Sequence, residues 1–273
     1  MYKIGWFSTG RGEGSKGLLR EMQSSIESGK VQAKLEFVFC SREYGETEAT
    51  DQYLKMVEDY NIPLVCFSYQ KYRRSRGELT PKTPGTMPQW RLDYDREVMA
   101  RLKNFQPDLS VLAGFMLIFG EEMCNRYDII NLHPAAPGGP AGMWQDVIWE
   151  LIERNASEHG VKMHLVIPEL DVGPTVSYCT FPIKGEHFDK YWRELDQQSV
   201  EYVRKTQGED NLLFNKIRQY GVARETPLTV ATIKAFSEGR VKIAADKRVI
   251  DAGGKDIEGY DLTGEIEDEI KTG

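Results

Sequence analysis

Three polar side chains in two separate stretches are of the types that acyl-transfer chemistry uses. Asn131 and His133 are two residues apart at the end of an apolar run, and Asp171 precedes Gly173 and Pro174. Residues two apart on a strand point to the same side. An amide can donate to an oxyanion, an imidazole can exchange a proton near neutral pH, and a carboxylate can orient that imidazole or receive a proton through water. These types therefore suit a reaction with a tetrahedral oxyanion intermediate.

Each of these residues also has a simpler explanation. Asn-x-His sequences are common in caps and turns, and Asp171 before a Gly-Pro pair is typical of a turn. No Ser or Cys is obviously paired with His133, so a covalent acyl-enzyme is not favoured. His133 and His164 do not have the spacing of a helical metal pair, so no metal site is expected.

A glycine-rich segment follows the first apolar run. Gly12, Gly14 and Gly17 have the spacing G-x-G-x-x-G, which is also found in dinucleotide-binding turns. Such turns usually precede a second strand that ends in an acidic residue, whereas Arg42 follows the second apolar run here. An arginine there suits the extra phosphate of NADP, so an NADP-dependent reductase is one alternative.

A phosphate site is the plainer interpretation of the same segment. Glycines let the backbone approach an anion, and the free N–H groups at a helix start point toward it. Gly14, Ser15 and Lys16 are then the predicted phosphate ligands. We expect Glu13 to face solvent, because an inward carboxylate would repel the anion. A tight turn without any ligand is the third interpretation.

Short apolar runs alternate with amphipathic stretches along most of the chain. We predict strands at 3–8, 35–40, 64–67, 109–113, 129–132, 162–166 and 176–181, and helices at 15–28, 48–60, 95–104 and 144–155. This alternation predicts an α/β fold, a mostly parallel twisted sheet with helices on both faces. Paired strands at 240–244 and 248–251 would be added near the C-terminus. The carboxyl ends of parallel strands share one edge, where ligands bind.

Two segments interrupt the alternation. Residues 69–89 are first basic and then proline-rich, and we expect a long loop or insertion there, either solvated or covering an anionic ligand. Residues 186–220 are expected to be inserted helices, and residues 265–273 to be frayed. No repeat or clean linker is visible, so one domain over 1–273 is predicted.

Composition restricts the classes of partner. The net charge of −7 argues against non-specific nucleic-acid binding. The four cysteines are widely spaced without a C-x-x-C pair, which fits reduced thiols in the cytoplasm. The apolar run at the N-terminus is too short for a signal peptide, and no stretch has the length of a membrane span. A cytoplasmic protein without nucleic-acid or membrane partners is expected.

Several ordered motifs make the chain resemble the folate-dependent formyltransferases. They lie at residues 90–97, 111–116, 131–134 and 164–174, with a similar closing helix and strand at 227–243. Asn131-Leu-His133-Pro134 is similar to the catalytic Asn-x-His-Pro of that family. The resemblance covers nearly the whole chain apart from the two interrupting segments, and it implies the formyltransferase fold.

The resemblance implies formyl transfer from 10-formyltetrahydrofolate to the amine of glycinamide ribonucleotide, a step of purine biosynthesis in one-carbon metabolism. The amine would attack the formyl carbon directly. Asn131 and protonated His133 would stabilise the tetrahedral oxyanion, and Asp171 would assist proton transfer from the amine. The segment 14–16 would bind the substrate phosphate.

The resemblance also implies where the folate binds. Met116, Leu117 and Phe119 would form the pteridine pocket together with the loop around Asp171, and Arg91 would meet the glutamate carboxylate of the folate. The implied partners are two small molecules, a phosphorylated amine and the folate co-substrate, with no metal. A homodimer is left open.

Two departures from the family pattern concern the acceptor. Trp144 stands where the family usually has His, and Leu117 stands where a basic residue often follows Phe-Met. The acceptor could instead be another amine, such as a sugar amine, or water, which would make the chain a formyltetrahydrofolate hydrolase. A non-catalytic folate- or nucleotide-binding protein is a further alternative from a different class.

Overall fold

A central sheet organises the structure, a computed structural model that describes residues 1–77, 87–195 and 198–272. The strands are β1 (Tyr2–Ser8), β2 (Ala33–Cys40), β3 (Leu64–Cys66), β4 (Leu109–Leu112), β5 (Ile129–His133), β6 (Glu158–Leu165), β7 (Thr175–Pro182), β8 (Val241–Ile243), β9 (Val249–Asp251) and β10 (Tyr260–Asp261). The order in the sheet is β10-β7-β6-β5-β4-β1-β2-β3, with β8 and β9 paired separately. In the sheet, β6 runs antiparallel to β5 and β7, and the other pairs are parallel. The predicted mostly parallel sheet is confirmed.

Helices cover both faces of this sheet. They are α1 (Glu13–Glu27), α2 (Glu48–Asp59), α3 (Tyr69–Arg76), α4 (Gln89–Arg101), α5 (Glu121–Arg126), α6 (Trp144–Glu153), α7 (Asp189–Leu195), α8 (Val200–Gln207), α9 (Leu212–Ser237) and α10 (Thr263–Thr272). Trp6 packs with α1, α2 and α9 on one face, and its neighbour Phe7 packs with α4 and α5 on the other. Because both faces are covered, β1 is apolar along most of its length rather than alternating. The predicted fold class is confirmed.

Aromatic packing on the α4 face fixes the loop that follows β4. Phe115 and Phe119 stack with ring centroids 5.0 Å apart, and Phe7 of β1 meets both rings edge-on at 5.9 and 5.5 Å. Edge-to-face and stacked pairs stabilise by roughly 0.5–1.5 kcal/mol each beyond their burial. The loop after β4 is therefore anchored to the sheet at both of its ends.

The predicted inserted helices at 186–220 form a core of their own, built from α6, α7, α8 and the first half of α9. The indole of Trp192 donates to the carbonyl of Ile183 at 2.5 Å and ties α7 to the end of β7. The predicted end of the insertion falls inside α9, which continues through Gly221 and Pro227. Its second half is buried against the sheet, and this packing outweighs the helix-breaking tendency of proline.

The prediction of a loop from residue 69 is wrong for its first eight residues, which form α3. The Ser68 hydroxyl accepts a hydrogen bond from the Lys71 N–H and caps the start of this helix. Gly77, at φ 68°, ends it in the left-handed conformation. Residues 78–86 lie outside the described part of the chain. The predicted helix at 95–104 begins earlier, at Gln89.

The C-terminal segment differs from its prediction. The pair β8 and β9 confirms the expected paired strands, but residues 265–272 are helical rather than frayed. Ile266 of α10 has no exposed surface, and the Glu267 carboxylate pairs with the largely buried guanidinium of Arg224 on α9. Tertiary contacts therefore hold a helix that its charged sequence alone does not indicate.

We expect Ile266→Ala to lower the free energy of unfolding by about 2–4 kcal/mol, because it leaves a cavity between α10 and the sheet. Urea denaturation measures this value. Asp268→Ala, on the exposed side of α10, is the matched control and should stay within about 0.5 kcal/mol of the parent. Equal stability of the two variants would mean that α10 does not pack as described.

Candidate active site

The loops after β1 and β4 meet at the carboxyl edge of the sheet. The Thr9 N–H donates to the Gly114 carbonyl at 3.2 Å, and the Met116 N–H donates to the Thr9 hydroxyl at 3.0 Å. The hydroxyl of Ser15 occupies the place that a Cβ would take on Gly114, which has φ 68°. The predicted phosphate-binding and folate-binding segments are thus in direct contact.

The structure brings the three predicted catalytic residues together. Asp171 lies on the loop between β6 and β7, with Oδ2 3.7 Å from Nδ1 of His133. Its other oxygen, Oδ1, lies 3.5 Å from Nε2 of His164. The antiparallel register of β5 and β6 places His164 opposite Asn131, and Asn131, His164 and Asp171 line one cavity. A carboxylate thus sits between two imidazoles beside a primary amide.

Hydrogen bonds to backbone carbonyls fix which ring nitrogens carry protons. Nε2 of His133 lies 3.1 Å from the Pro140 carbonyl, and Nδ1 of His164 lies 3.2 Å from the Leu165 carbonyl. Carbonyl oxygens only accept, so both of these nitrogens are protonated. In neutral rings, the nitrogens that face Asp171 then carry lone pairs. One additional proton, shared by His133, Asp171 and His164, would place a hydrogen between a ring nitrogen and the carboxylate and make their contact attractive. The cluster can therefore hold a proton and pass it on.

Burial determines the charge of His164. Its ring is nearly inaccessible, and desolvation lowers its pKa to about 4 despite the Asp171 carboxylate nearby. His164 is therefore neutral at pH 7.

The loop that carries Asp171 has little freedom. Asp171 has φ 58°, in the left-handed region that Asp tolerates better than most residues. A Cβ on Gly173 would collide with the Leu165 carbonyl, and the Leu165 N–H donates to the Pro174 carbonyl at 2.9 Å. The close return from β6 to β7 therefore requires glycine at this position and directs Asp171 toward β5.

A largely apolar cavity of ≈ 390 Å³ opens beside these groups. Its lining comprises Leu112, Phe115, Met116, Leu117, Ile118, Phe119, Asn131, Gly142, Met143, His164, Val166, Ile167, Glu169, Leu170 and Asp171. The predicted folate residues Met116, Leu117 and Phe119 are all present. Met116 and Met143 are each 63% exposed, which leaves apolar surface at the rim for a ligand to cover. The cavity suits a flat, mostly apolar ring system.

Arg91, also predicted to bind folate, lies apart from this lining. Its guanidinium is buried against the Asp95 carboxylate, which also accepts the N–H of Gly120 at 2.8 Å. The guanidinium carbon lies 5.7 Å from the Phe119 ring centre. In this arrangement Arg91 supports the end of the loop after β4, and its folate contact stays a prediction.

The start of α1 has the features of an anion site. Gly12 precedes the helix without a side-chain cap, so the first N–H groups are free to bind a ligand. The Lys16 ammonium bonds to Glu13 Oε1 at 2.5 Å and to Gln52 Oε1 at 2.8 Å. Glu13 is 80% exposed as expected, and the ammonium lowers the pKa of its carboxyl group. An anion at the helix start would compete with Glu13 for Lys16.

The packing around Gly17 does not support the alternative of a dinucleotide-binding turn. In dinucleotide-binding turns, the third glycine allows close packing of helix on strand. Here a Cβ on Gly17 would meet no atom within 4 Å. Gly10 is the position that needs glycine, because it has φ 61° and a Cβ there would lie 3.0 Å from the Tyr53 ring. The spacing G-x-G-x-x-G is therefore not a packing requirement of this turn.

Trp144 begins α6 and packs away from the cavity. Its ring contacts Phe214 at 5.7 Å between centroids, and the Arg218 guanidinium lies 4.5 Å from its centre. The residue therefore contributes to the core of the inserted helices, and the neighbouring Gly142 and Met143 line the cavity instead.

Two site residues are missing from the sequence-based set, His164 and Lys162. Both lie on β6, where the register places Lys162 opposite His133. His164 begins the motif at 164–174 without a predicted role, and the position of Lys162 along the chain carries no signal. Only the pairing of β5 with β6 shows that they share one face with Asn131 and His133.

Two kinds of feature are absent from the described residues. Within 1–77, 87–195 and 198–272, no group of three or more His, Cys, Asp or Glu side chains is placed to hold a metal ion. In the same ranges, no helix has both the length and the apolar character needed to cross a membrane.

The fold and the site define a formyl transferase. A family model described as formyl transferase matches residues 12–190, about two thirds of the chain, and the chain belongs to this family. The match includes Asn131, His133, His164 and Asp171.

Several relatives with curated names are phosphoribosylglycinamide formyltransferases. The Escherichia coli protein is 33% identical over 92 residues, which cover 33% of this chain and 42% of that protein. The Haemophilus influenzae protein is 26% identical over 171 residues, which cover 62% of this chain and 68% of that protein. The chain thus matches less than half the length of the first relative.

The fold likeness extends further than the sequence likeness. A solved phosphoribosylglycinamide formyltransferase from Coxiella burnetii, in complex with CHES, superposes with a TM-score of 0.63 and 20% identity. The superposition covers 95% of this chain and 98% of that chain. At this identity, the likeness shows a shared fold.

Buried histidines predict a loss of stability in acid. Burial lowers the pKa of both His159 and His164 from 6.5 to about 4. Between these values the unfolded chain binds protons that the folded chain does not, so stability is retained above pH 6.5 and falls toward pH 4. Each histidine contributes a slope of up to about 1.4 kcal/mol per pH unit.

Urea denaturation between pH 7 and pH 4 measures this slope. We expect His164→Gln to reduce the slope of the free energy of unfolding against pH by the contribution of one histidine. His187→Gln is the matched control, because His187 is exposed in the folded chain, and it should leave the slope unchanged. An unchanged slope in His164→Gln would contradict the assignment of a buried neutral ring.

Proposed function

We propose that this chain transfers the formyl group of 10-formyltetrahydrofolate to the amine of glycinamide ribonucleotide, in purine biosynthesis. The observation that carries the proposal is the Asp171 carboxylate between two imidazoles at the mouth of an apolar cavity. Family membership and the similarity to phosphoribosylglycinamide formyltransferases support the same reaction.

The cavity and the helix start supply complementary binding sites. The pteridine ring occupies the apolar cavity, where the backbone around Leu117 and Asp171 can bond to its polar edge. The phosphate of the amine binds the free N–H groups at the start of α1, with Ser15 and Lys16 beside them. Contact between Ser15 and Gly114 brings these two sites side by side, so the amine can reach the formyl carbon.

Attack by the amine forms a C–N bond at the formyl carbon and places a negative charge on its oxygen. The Asn131 amide donates to this oxyanion, and protonated His133 donates to it when its Nε2–H turns from the Pro140 carbonyl to the oxyanion. One such donor is worth roughly 10²–10³ in rate when the site is preorganised. Asp171, bridging His133 and His164, receives the proton lost by the amine, directly or through water.

Collapse of the intermediate then breaks the bond between the formyl carbon and N10 of the folate. The departing nitrogen takes up a proton, which the Asp171 cluster returns, so the cluster ends in its starting state. The products are the formylated amine and tetrahydrofolate. No covalent acyl-enzyme is needed, in keeping with the absence of Ser or Cys from the lining named above.

The acceptor is tested by supplying 10-formyltetrahydrofolate with a panel of amines and with water alone. We expect consumption to depend on glycinamide ribonucleotide and to be slow without it. Consumption at an equal rate in water would instead assign a formyltetrahydrofolate hydrolase, and preference for a sugar amine would change the acceptor. A cytoplasmic location and a homodimer stay predictions.

We expect Asp171→Asn to lower kcat by about 10²- to 10⁴-fold, because the amide cannot accept the transferred proton. Asparagine also tolerates the left-handed conformation at this position, so folding should be preserved. Steady-state kinetics measure the effect. Asp146→Asn, an exposed carboxylate of α6, is the matched control, and parent-like rates in Asp171→Asn would remove Asp171 from the mechanism.

We expect Lys16→Ala to raise KM for the phosphorylated amine by about tenfold, the size of one charge-assisted hydrogen bond of ~1.4 kcal/mol. KM for the folate should change little. Lys55→Ala, on the exposed surface of α2, is the control. An equal rise in both KM values would argue against a phosphate contact.

A further inference from the structure

A largely buried lysine, Lys162, is paired with His133 across the β5–β6 ladder, and it forms no hydrogen bond or ion pair within the described residues. Lys162 is only 7% exposed, and the register of the sheet places it between His133 on β5 and Tyr178 on β7. On an antiparallel ladder, residues directly opposite each other project to the same face with Cβ atoms about 5 Å apart. Lys162 and His164, two residues apart on β6, share that face.

Asp171 is the anion that acts on this lysine. Burial lowers the pKa of Lys162, and the Asp171 carboxylate opposes this shift in part. The two carboxylate oxygens point toward the imidazoles of His133 and His164 rather than forming an ion pair with the ammonium in the described structure. Tyr178, the neighbour of Lys162 on β7, is hydrogen-bonded to Asp261, and the pKa of its hydroxyl is raised. Tyr178 is therefore uncharged at neutral pH.

While His133 is neutral, the His133–Asp171–His164 cluster carries a negative charge that only a neighbouring cation can balance. His164 is neutral, and the ring nitrogens that face Asp171 carry lone pairs unless an additional proton is present. An uncompensated carboxylate in such a site is costly. The described residues that line the cavity include no lysine or arginine, and Glu169 adds a second carboxylate. Lys162 is the cation that the arrangement provides.

We propose that Lys162 is a positioning residue of the formyl-transfer site, whose ammonium holds Asp171 as a carboxylate and thereby sets the pH at which the His133–Asp171–His164 cluster accepts a proton. The predicted effect of Lys162 on catalysis rests on the proposed function. Its predicted effect on the protonation of the cluster does not. Lys162 acts on the reaction through Asp171 and His133, and no contact with the substrate is required of it.

Removal of the Lys162 charge should shift the pH dependence of the reaction in a defined direction. A neighbouring cation disfavours protonation of every group around it, so its loss lets His133 and Asp171 keep their protons to higher pH. In Lys162→Met, the acid limb of the profile of kcat/KM against pH should therefore move to higher pH, by about one unit or more. Lys162→Arg keeps the charge and should leave the limb in place. A lysine that only fills space would lower stability or activity without moving the limb.

Histidine titration by NMR gives a readout that does not depend on turnover. We expect the His133 ring signal to titrate at higher pH in Lys162→Met than in the parent, and at the parent pH in Lys162→Arg. Lys247→Met is the matched control, because that lysine pairs with Asp128 at the other end of β5 and lies outside the site. Circular dichroism establishes that each variant is folded, and Lys162→Gln replaces Lys162→Met if the latter is not.

The outcomes separate the two proposals. A shifted His133 titration with no formyl transfer by the parent protein would support the role of Lys162 and overturn the proposed reaction. Formyl transfer with an unshifted titration and an unmoved acid limb in folded Lys162→Met would overturn the role of Lys162 alone. A shift of equal size in Lys247→Met would also overturn it, since the effect would then reflect overall charge.

Discussion

The site depends on one carboxylate held between two imidazoles. Asp171 reaches that position because the chain turns back from β6 to β7 within a few residues, at a place where a side chain on Gly173 would strike the Leu165 carbonyl. The same turn sets Asp171 in a left-handed conformation. Backbone strain at this point is offset by the pairing of β6 with its neighbours, which fixes both imidazoles beneath the loop.

Much of the fold could be predicted from apolar periodicity. Except for β10, which is not among the predicted strands, the strands of the central sheet lie close to their predicted positions, because most of their residues are apolar and buried. The failures have local causes. Helix α3 is too polar for periodicity to show it, although Ser68 and Gly77 mark its ends. Helix α9 contains Pro227 and Gly221, which indicate a break that tertiary packing prevents.

The candidate site was predictable where residues adjoin strand ends, and not where it depends on strand register. Asn131 and His133 stand in one short motif, and Asp171 precedes a recognisable turn. His164 and Lys162 join them only because β6 runs antiparallel to β5 in a specific alignment. A shift of one residue would turn both side chains to the opposite face. Arg91 illustrates the opposite case, since its motif is clear but its guanidinium is buried against Asp95.

The last strand, β10, has a consequence for how copies of this chain can associate. It adds only two residues, which pair in parallel with Ser177 and Tyr178 of β7. An unpaired strand edge is a template for another chain. A strand of a second copy could pair with these two residues of β7 only after displacing β10. At these two positions, self-association of the intact fold therefore uses side-chain surfaces instead of backbone hydrogen bonds to β7.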